Sequence, residues 1–505
     1  MSASETTGPE PVTPSRGARG MIGLAAGPLA LAATLATAPP EGLGPDGWRT
    51  AGIALMMAVW WITEAVPLSA TALLPLALFP AFGVSSMAET ARPYASPVIF
   101  LFMGGFMLAQ GLQRWGLHKR LALHIVRAIG TEPRRMVGGF MVATAALSMW
   151  VSNTATTVMM LPIGLSTIDL VLRNQPAGGP PIGRHFGPAL MLGIAYAASV
   201  GGVATLIGSP PNALFAGYMA EAYGVEIGFA AWMLVGLPIT LLMLPAIWRL
   251  LTHHVFPIRM THLAGGAEMI ERELASLGRP SRGEWLAGGV FVAVALAWVA
   301  RPLLGLWIPG LTDAGIAILG TILLFATPVD LRRAEFVLDW SSAVRIPWDV
   351  LLLFGGGLSL ADAIQRHGLA EWIGAALTAG STPPLLGTMF LVAFVLIFLT
   401  EITSNTASAA AFLPVLGSLA VAIGENPLFL TVTGTIAASC AFMLPVATPP
   451  NAIIYGSGFI RGSQMARAGI WLNLLFAAVL PLLVFALVFV VFGARPGVVP
   501  AWAGR

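Results

Sequence analysis

Charge is what this chain has least of. Only 10% of its 505 residues are Asp, Glu, Lys or Arg, whereas 57% are hydrophobic and the mean hydropathy is +0.82. A soluble chain of this length needs far more charge to cover its surface, so the composition excludes a soluble globular fold and requires a polytopic membrane protein. Cysteine is almost missing: Cys440 stands alone in an apolar run, which excludes a disulfide framework and a thiolate metal site. The seven histidines are scattered, and His253-His254, adjacent at a helix end, read as an interfacial pair rather than as metal ligands. No His stands beside a Ser or Cys nucleophile, no HExxH motif occurs, and no paired Asp lies in an apolar span, so the chain does not read as an enzyme. A net charge of +3 says little about partners, and no nucleic-acid partner is expected.

What the chain does have, it has twice. Ser152-Asn153-Thr154 lies in LSMWVSNTATTVMMLPIG (147–164), and Ser404-Asn405-Thr406 lies in IFLTEITSNTASAAAFLPVLG (397–417). The offset 404 − 152 = 252 also maps Ser148 onto Thr400 and Leu161-Pro162 onto Leu413-Pro414. It maps LFMGGFMLAQGLQRWGL (101–117) onto LFGGGLSLADAIQRHGL (353–369) with 10 of 17 positions identical. A second pair, IGSPPNALF (207–215) and VATPPNAII (446–454), follows at 451 − 212 = 239, as expected if loop lengths drifted after a duplication.

Apolar runs predict spans at 21–38, 50–64, 66–83, 97–115, 185–220, 228–250, 285–307, 312–327, 348–364, 427–460 and 470–493. The two longest exceed a single crossing and must be tilted or broken. Segment 21–38, with Arg16 and Arg19 ahead of it and Ala36-Thr37-Ala38 behind, fits a cleaved signal peptide or a retained first span, and the charge distribution works with the retained span. Segments 135–168 and 384–424 each carry a polar break with flanks too short to cross, and read as re-entrant hairpins.

With the N-terminus inside, segments 1–20, 116–135, 169–184, 249–284, 328–347 and 461–468 face the cytoplasm. They hold 19 of the 26 basic residues, including Lys119, Arg120, Arg134, Arg135, Arg332 and Arg333. The outer loop 221–227 carries Glu221 and Glu226 and no basic residue. The expected architecture is therefore an all-α polytopic membrane protein with about eleven transmembrane helices plus two hairpins, the C-terminus outside. Five crossings separate the LF-x-GG spans, so the halves, 48–250 and 285–493, are inverted repeats. Around them lie a disordered tail at 1–20, a first span and loop at 21–47, a cytoplasmic linker at 251–284 and a C-terminal tail at 494–505.

Two prolines within a span stop a helix, because they remove donors and clash with the preceding turn. A lone Pro-Pro would be a kink. Two copies in related spans, each followed by Asn, point to unwound backbone lining a wet site. The triplets supply the other wall: Ser and Asn are N-cap residues, and a helix N-terminus offers open N–H groups and partial positive charge to an anion. Hydroxyl, amide and carbonyl oxygens suit a hard cation such as sodium. Ser148, Ser152 and Asn153 with the backbone near Gly201 form one candidate cage, and Thr400, Ser404 and Asn405 with the backbone near Ala447 the other.

No Arg, Lys or His lies in either triplet or either Pro-Pro-Asn loop, so anion binding would depend on bound cations and helix dipoles, the thermodynamic root of symport. Glu401, whose repeat partner is Met149, is either a functional intramembrane acid or a structural one bonded to backbone. Asp169, Asp349 and Asp362 read as interfacial. Gly104-Gly105 and Gly355-Gly356-Gly357 read as close helix packing rather than a phosphate loop.

Paired Ser-Asn-Thr and xPPN motifs, in this order over about 48–493, resemble the divalent anion/sodium symporter family, the bacterial dicarboxylate transporters akin to human sodium-coupled citrate and dicarboxylate carriers. The resemblance implies a homodimer of the inner membrane with a scaffold part and an elevator-type transport part, moving a small dianion with sodium as co-transported ion and no organic cofactor. It implies that Ser152, Asn153, Thr154, Ser404, Asn405 and Thr406 contact substrate carboxylates, with Pro210, Pro211, Asn212, Thr448, Pro449, Pro450 and Asn451 lining the site. Sodium falls at Ser148, Ser152, Asn153 and Gly201, and at Thr400, Ser404, Asn405 and Ala447. Members that exchange anions without sodium carry basic side chains near the cation positions, and none is visible here. Sodium-coupled C4-dicarboxylate symport (succinate, malate, fumarate) is thus expected, with a sodium-independent exchanger, a sulfate carrier and an anion channel as alternatives.

Overall fold

Proline, glycine and short polar residues set where the helices begin and end. The structure, a computed structural model, describes residues 18–173, 183–260, 265–378 and 383–503. Residues 1–17 of the expected tail at 1–20, and 174–182 of the expected cytoplasmic segment 169–184, lie outside the described residues; 18–20 and 169–173 are helical. The first span is α1 (Ala18–Leu35), which packs against α2 (Pro45–Thr63), with Gly23 against Thr63 and Gly27 against Trp60. The predicted span 66–83 is instead two short helices, α3 (Leu68–Thr71) and α4 (Leu74–Ala81). Pro67 precedes the first and Pro75 opens the second, where a missing N–H costs nothing. A Ser86/Glu89 capping box starts α5 (Met87–Ala91).

Next come α6 (Pro97–Arg114), the amphipathic α7 (Leu117–Ile129), and a helix–break–helix unit of α8 (Pro133–Ser148) and α9 (Asn153–Arg173). The predicted span 185–220 is broken, as α10 (Gly183–Val203) and α11 (Pro210–Tyr223), with a short 3-10 turn at Leu206–Gly208 between them. Helix α12 (Phe229–Arg249) continues into a π-helical turn, Leu250–Val255, where His253 accepts or donates a hydrogen bond with Thr252 and packs on Trp248. The linker holds α13 (Gly266–Ser276), and a Ser281/Glu284 capping box opens α14 (Arg282–Leu304). Arg120 of α7 reaches the same Glu284 at 2.5 Å and tethers the amphipathic helix to that span.

Helix α15 (Asp313–Ala326) is capped by Thr312 and followed by a small antiparallel pair, β1 (Pro328–Asp330) with β2 (Glu335–Phe336). A one-turn α16 (Trp340–Ala343) leads into α17 (Trp348–Arg366), α18 (Leu369–Thr378), and the second helix–break–helix unit of α19 (Leu385–Leu399) and α20 (Asn405–Ala422). The predicted span 427–460 is also broken, as α21 (Pro427–Ala437) and α22 (Pro449–Gly456). The last helix, α23 (Gly462–Phe492), starts eight residues before the predicted 470, absorbing the segment 461–468 expected as a loop.

Three helix starts in the first half recur in the second at the offset read from sequence: Leu117 and Leu369, Pro133 and Leu385, Asn153 and Asn405. Among the described residues, seven helices are long and apolar enough to cross a membrane, and several shorter apolar ones accompany them. Exposed Trp285 in the first turn of α14 and Trp307 just past its end mark the two ends of a helix long enough, at about 1.5 Å per residue, to cross a bilayer, as interfacial tryptophans do. The glycine-rich stretches are packing surfaces. Gly104 lies on the Ala317 backbone, and Gly356 on that of Ala72. This lets α6 and α17 approach their neighbours closely.

Candidate functional site

Both polar breaks and both proline starts open onto one cavity of about 1110 Å³. Ser152, Asn153 and Thr154 line it from the start of α9, and Ser404, Asn405 and Thr406 from the start of α20. Pro210 and Pro211 with Ala447, Thr448, Pro449 and Pro450 complete that wall. Sequence positions some 250 apart thus meet in one place.

The prolines sit differently from expectation. They are not in the unwound stretches but are the first residues of α11 and α22, with the unwound backbone ahead of them at 204–209 and 438–448. Proline suits a first helical turn because its φ is already set and its missing N–H would be unpaired anyway. One consequence concerns the ligand. The starts of α11 and α22 present their dipoles but not the first amide donors, whereas α9 and α20, free of proline there, present both.

The triplets also differ as caps. The Ala155 amide donates to Ser152 Oγ at 3.3 Å, so the first triplet caps its helix. Ser404 makes no such bond, and its hydroxyl is left to the cavity.

Behind each triplet lies an oxygen nest. Ser148, fully buried, places its Oγ 2.6 Å from Asn153 Oδ1 and 2.7 Å from Ala198 O. That Oδ1 is also 3.0 Å from Ala198 O and 3.2 Å from Gly208 O. Turned over, the amide would donate to all three of these oxygens. With its oxygen inward, Asn153 Oδ1 faces three other oxygens, a donor set of the kind that suits a small hard cation. In the second half Thr400 Oγ1 lies 2.6 Å from Asn405 Oδ1 and 3.1 Å from Ala438 O, the same arrangement with the side chains 252 residues on and the carbonyl 240. Gly201 abuts the Ala145 backbone, and its carbonyl accepts from the Ala204 amide. Gly208, whose carbonyl is near Asn153, is the counterpart of Ala447, since 447 − 208 = 239.

Asn212 and Asn451, expected in the lining, are fully buried behind it. The Asn212 amide nitrogen donates to Gly202 O at 3.0 Å and Thr205 O at 2.8 Å; that of Asn451 donates to Ala441 O at 3.2 Å and Leu444 O at 3.1 Å. Glu401 resolves to the structural alternative. Its carboxylate accepts from the amides of Phe442, Met443 and Leu444 and from Asn473 Nδ2, all at 2.7–2.9 Å.

Sequence reasoning missed the opposite wall. Arg19 and Glu64 from the α1–α2 pair, Gln110 and Phe106 from α6, and Arg345 and Asp349 ahead of and within α17 all face the same cavity. Arg345 is exposed and forms no ion pair among the described residues. Phe106 and Gln110 lie in the repeated 101–117 stretch and Asp349 reads as interfacial, whereas Arg19, Glu64 and Arg345 belong to no repeat, so nothing in the sequence linked any of them to the triplets.

The family described as "Sodium:sulfate symporter transmembrane region" matches residues 22–492. The chain is 42% identical over 479 residues to the sodium-dependent dicarboxylate transporter SdcS of Staphylococcus saprophyticus, covering 94% of this chain and 92% of the relative. It is equally 42% identical over 480 residues to the protein of the same name from Staphylococcus aureus strain COL, with the same coverage. Solved structures share the fold at low identity. The YdaH transporter of Alcanivorax borkumensis aligns at TM-score 0.57 and 15% identity, over 87% of this chain and 98% of that one. MtrF of Neisseria gonorrhoeae aligns at 0.55 and 12%, over 93% and 94%.

Proposed function

The chain belongs to the sodium:sulfate symporter family, and from that premise we propose that it is a sodium-coupled symporter of C4-dicarboxylates such as succinate, malate and fumarate. The observation that carries the reading is the pairing of two oxygen nests, at Ser148/Asn153 and Thr400/Asn405, with two proline-free helix starts on one cavity. A sodium ion in each nest places positive charge beside the N-termini of α9 and α20. The two carboxylates of the substrate then meet the Ser-Asn-Thr triplets, whose amides and hydroxyls donate to them. The motif wall carries no basic side chain, so the dianion is held well only when the cations are present. By linkage the cations are held better when the dianion is present. The names of the 42% identical relatives support dicarboxylate as the substrate class.

The wider scheme belongs to the same proposal. The halves are inverted repeats, and the two helix–break–helix units are hairpins entering from opposite faces. A transport part bearing the nests moves as an elevator against a scaffold in a homodimer of the plasma membrane. The shared helix starts and the basic residues on one side of the spans support this reading. Since Arg19 and Arg345 belong to segments assigned to the cytoplasm, the cavity is open to that side.

Succinate uptake into proteoliposomes tests the coupling. With choline replacing sodium, uptake is expected to fall to background; undiminished uptake would refute symport. Competition by sulfate and by citrate in the same assay fixes the substrate class.

A further inference from the structure

Asn212 and Asn451 touch neither the cavity nor, on any contact the structure gives, a nest. We infer that they are positioning residues for the two cation sites, a reading that rests on the sodium-coupled function proposed above. Breaking a helix frees several carbonyls at once, and a cation site needs only some of them, correctly aimed.

In the first half the freed carbonyls divide cleanly. Gly202 O and Thr205 O are taken by the Asn212 amide nitrogen, with Val203 O at 3.5 Å on the edge of its reach and also accepting from Trp232 Nε1 at 2.9 Å. Gly208 O of the break, with Ala198 O from within α10, faces Asn153. The two sets are in contact. A Cβ on Gly202 would come within 2.6 Å of Asn153 Oδ1 and 2.7 Å of Gly208 O, and one on Gly208 within 2.5 Å of Gly202 O. Moving Gly202 therefore moves the nest. In the second half the Asn451 nitrogen takes Ala441 O and Leu444 O, while Ala438 O faces Thr400. Both asparagines are wholly buried, and both leave Oδ1 without a partner among the described residues. An asparagine chosen only to fill space would not be kept at that cost. The side chain is retained for its two donors, which tie off surplus carbonyls and fix those left for the ion.

The test separates three roles. Asn212→Leu and Asn451→Leu keep the volume and delete the donors, and Asn212→Ser and Asn451→Ser keep one donor should the leucine variants fail to fold. Sodium protection of the detergent-solubilised full chain against thermal unfolding, titrated without substrate, reads the cation sites directly. The sodium concentration for half-protection is expected to rise roughly 10-fold or more in the leucine variants, as is typical when a group holding a metal ligand is removed. The serine variants fall between. The succinate KM in proteoliposomes at saturating sodium is expected to stay unchanged.

A lowered unfolding temperature with an unmoved sodium midpoint would overturn the inference in favour of a purely structural role. A raised succinate KM with an unmoved sodium midpoint would overturn it in favour of substrate lining. Absence of sodium-dependent uptake by the wild-type chain would instead defeat the function proposed above, and the substrate-free titration keeps the two failures apart.

Discussion

In the first half, the break between α10 and α11 runs from Ala204 to Ser209. It is held by Asn212, and by Thr205, whose hydroxyl bonds Met149 O and accepts from the Gly208 amide. In the second, the break between α21 and α22 runs from Ala438 to Thr448, nearly twice as long, and is held by Asn451 together with the buried Glu401 and Asn473. The nests are alike and the supports are not. A short loop frees few amides, and a 3-10 turn with one threonine suffices. A long one leaves three consecutive N–H groups at Phe442, Met443 and Leu444 without helical partners, and a carboxylate is the one side chain able to accept them all. The two halves share the hydroxyl–Asn pair of the nest and the buried Asn after Pro-Pro, and differ in what else holds the broken backbone.

If both nests are needed, the halves should fail equally at their centres. Asn153→Ala and Asn405→Ala are each expected to reduce sodium-driven succinate uptake at least about 100-fold while the protein stays folded, since each removes a ligand, a helix-start side chain and a substrate contact together. Wild-type uptake by both variants would remove the site assignment. One inactive and one active variant would break the equivalence of the halves.

At the supports, by contrast, the halves should differ. Glu401→Ala strands three buried amides and is expected to cost about 3 kcal/mol or more of stability, whereas Met149→Ala at the matching position costs about 1 kcal/mol. Thermal unfolding of the two variants side by side measures that asymmetry, and equal losses would contradict it. The smallest effect lies away from the motif wall. Arg345→Gln at the cavity mouth is expected to raise the KM for succinate on that side only a few-fold, and only at low ionic strength, because an exposed charge is screened. A loss comparable with that of Asn153→Ala would make Arg345 a direct ligand and end the view that cations and helix dipoles alone hold the dianion.

Duplication made much of this legible in advance. Two triplets and two Pro-Pro-Asn loops at matched offsets announced paired breaks, and the structure places twelve of the expected site residues around one cavity. Individual roles were less visible. From the string, Asn212 and Asn451 follow prolines that do line the cavity, and nothing shows that the next helical position turns its side chain back toward the broken backbone. From sequence the backbone near Gly201 is expected to complete the first cage, whereas the carbonyls within reach of Asn153 Oδ1 are those of Ala198 and Gly208. Which of several freed carbonyls faces Asn153 depends on how α8, α10 and the loop before α11 stack.

The sequence alone determined that this chain lives in a bilayer, because so few charges cannot solvate so long a chain. It also marked the four helix starts at the motifs, because Pro-Pro and Ser-Asn-Thr favour a first helical turn, while single prolines such as Pro162, Pro188 and Pro238 sit inside helices. Only the tertiary structure decided that the breaks share a single cavity, that Arg19 and Arg345 stand at its mouth, and that Glu401 faces backbone rather than ligand. Those facts rest on contacts between residues from 40 to more than 300 positions apart. Helix packing sets such contacts, and no local preference encodes them.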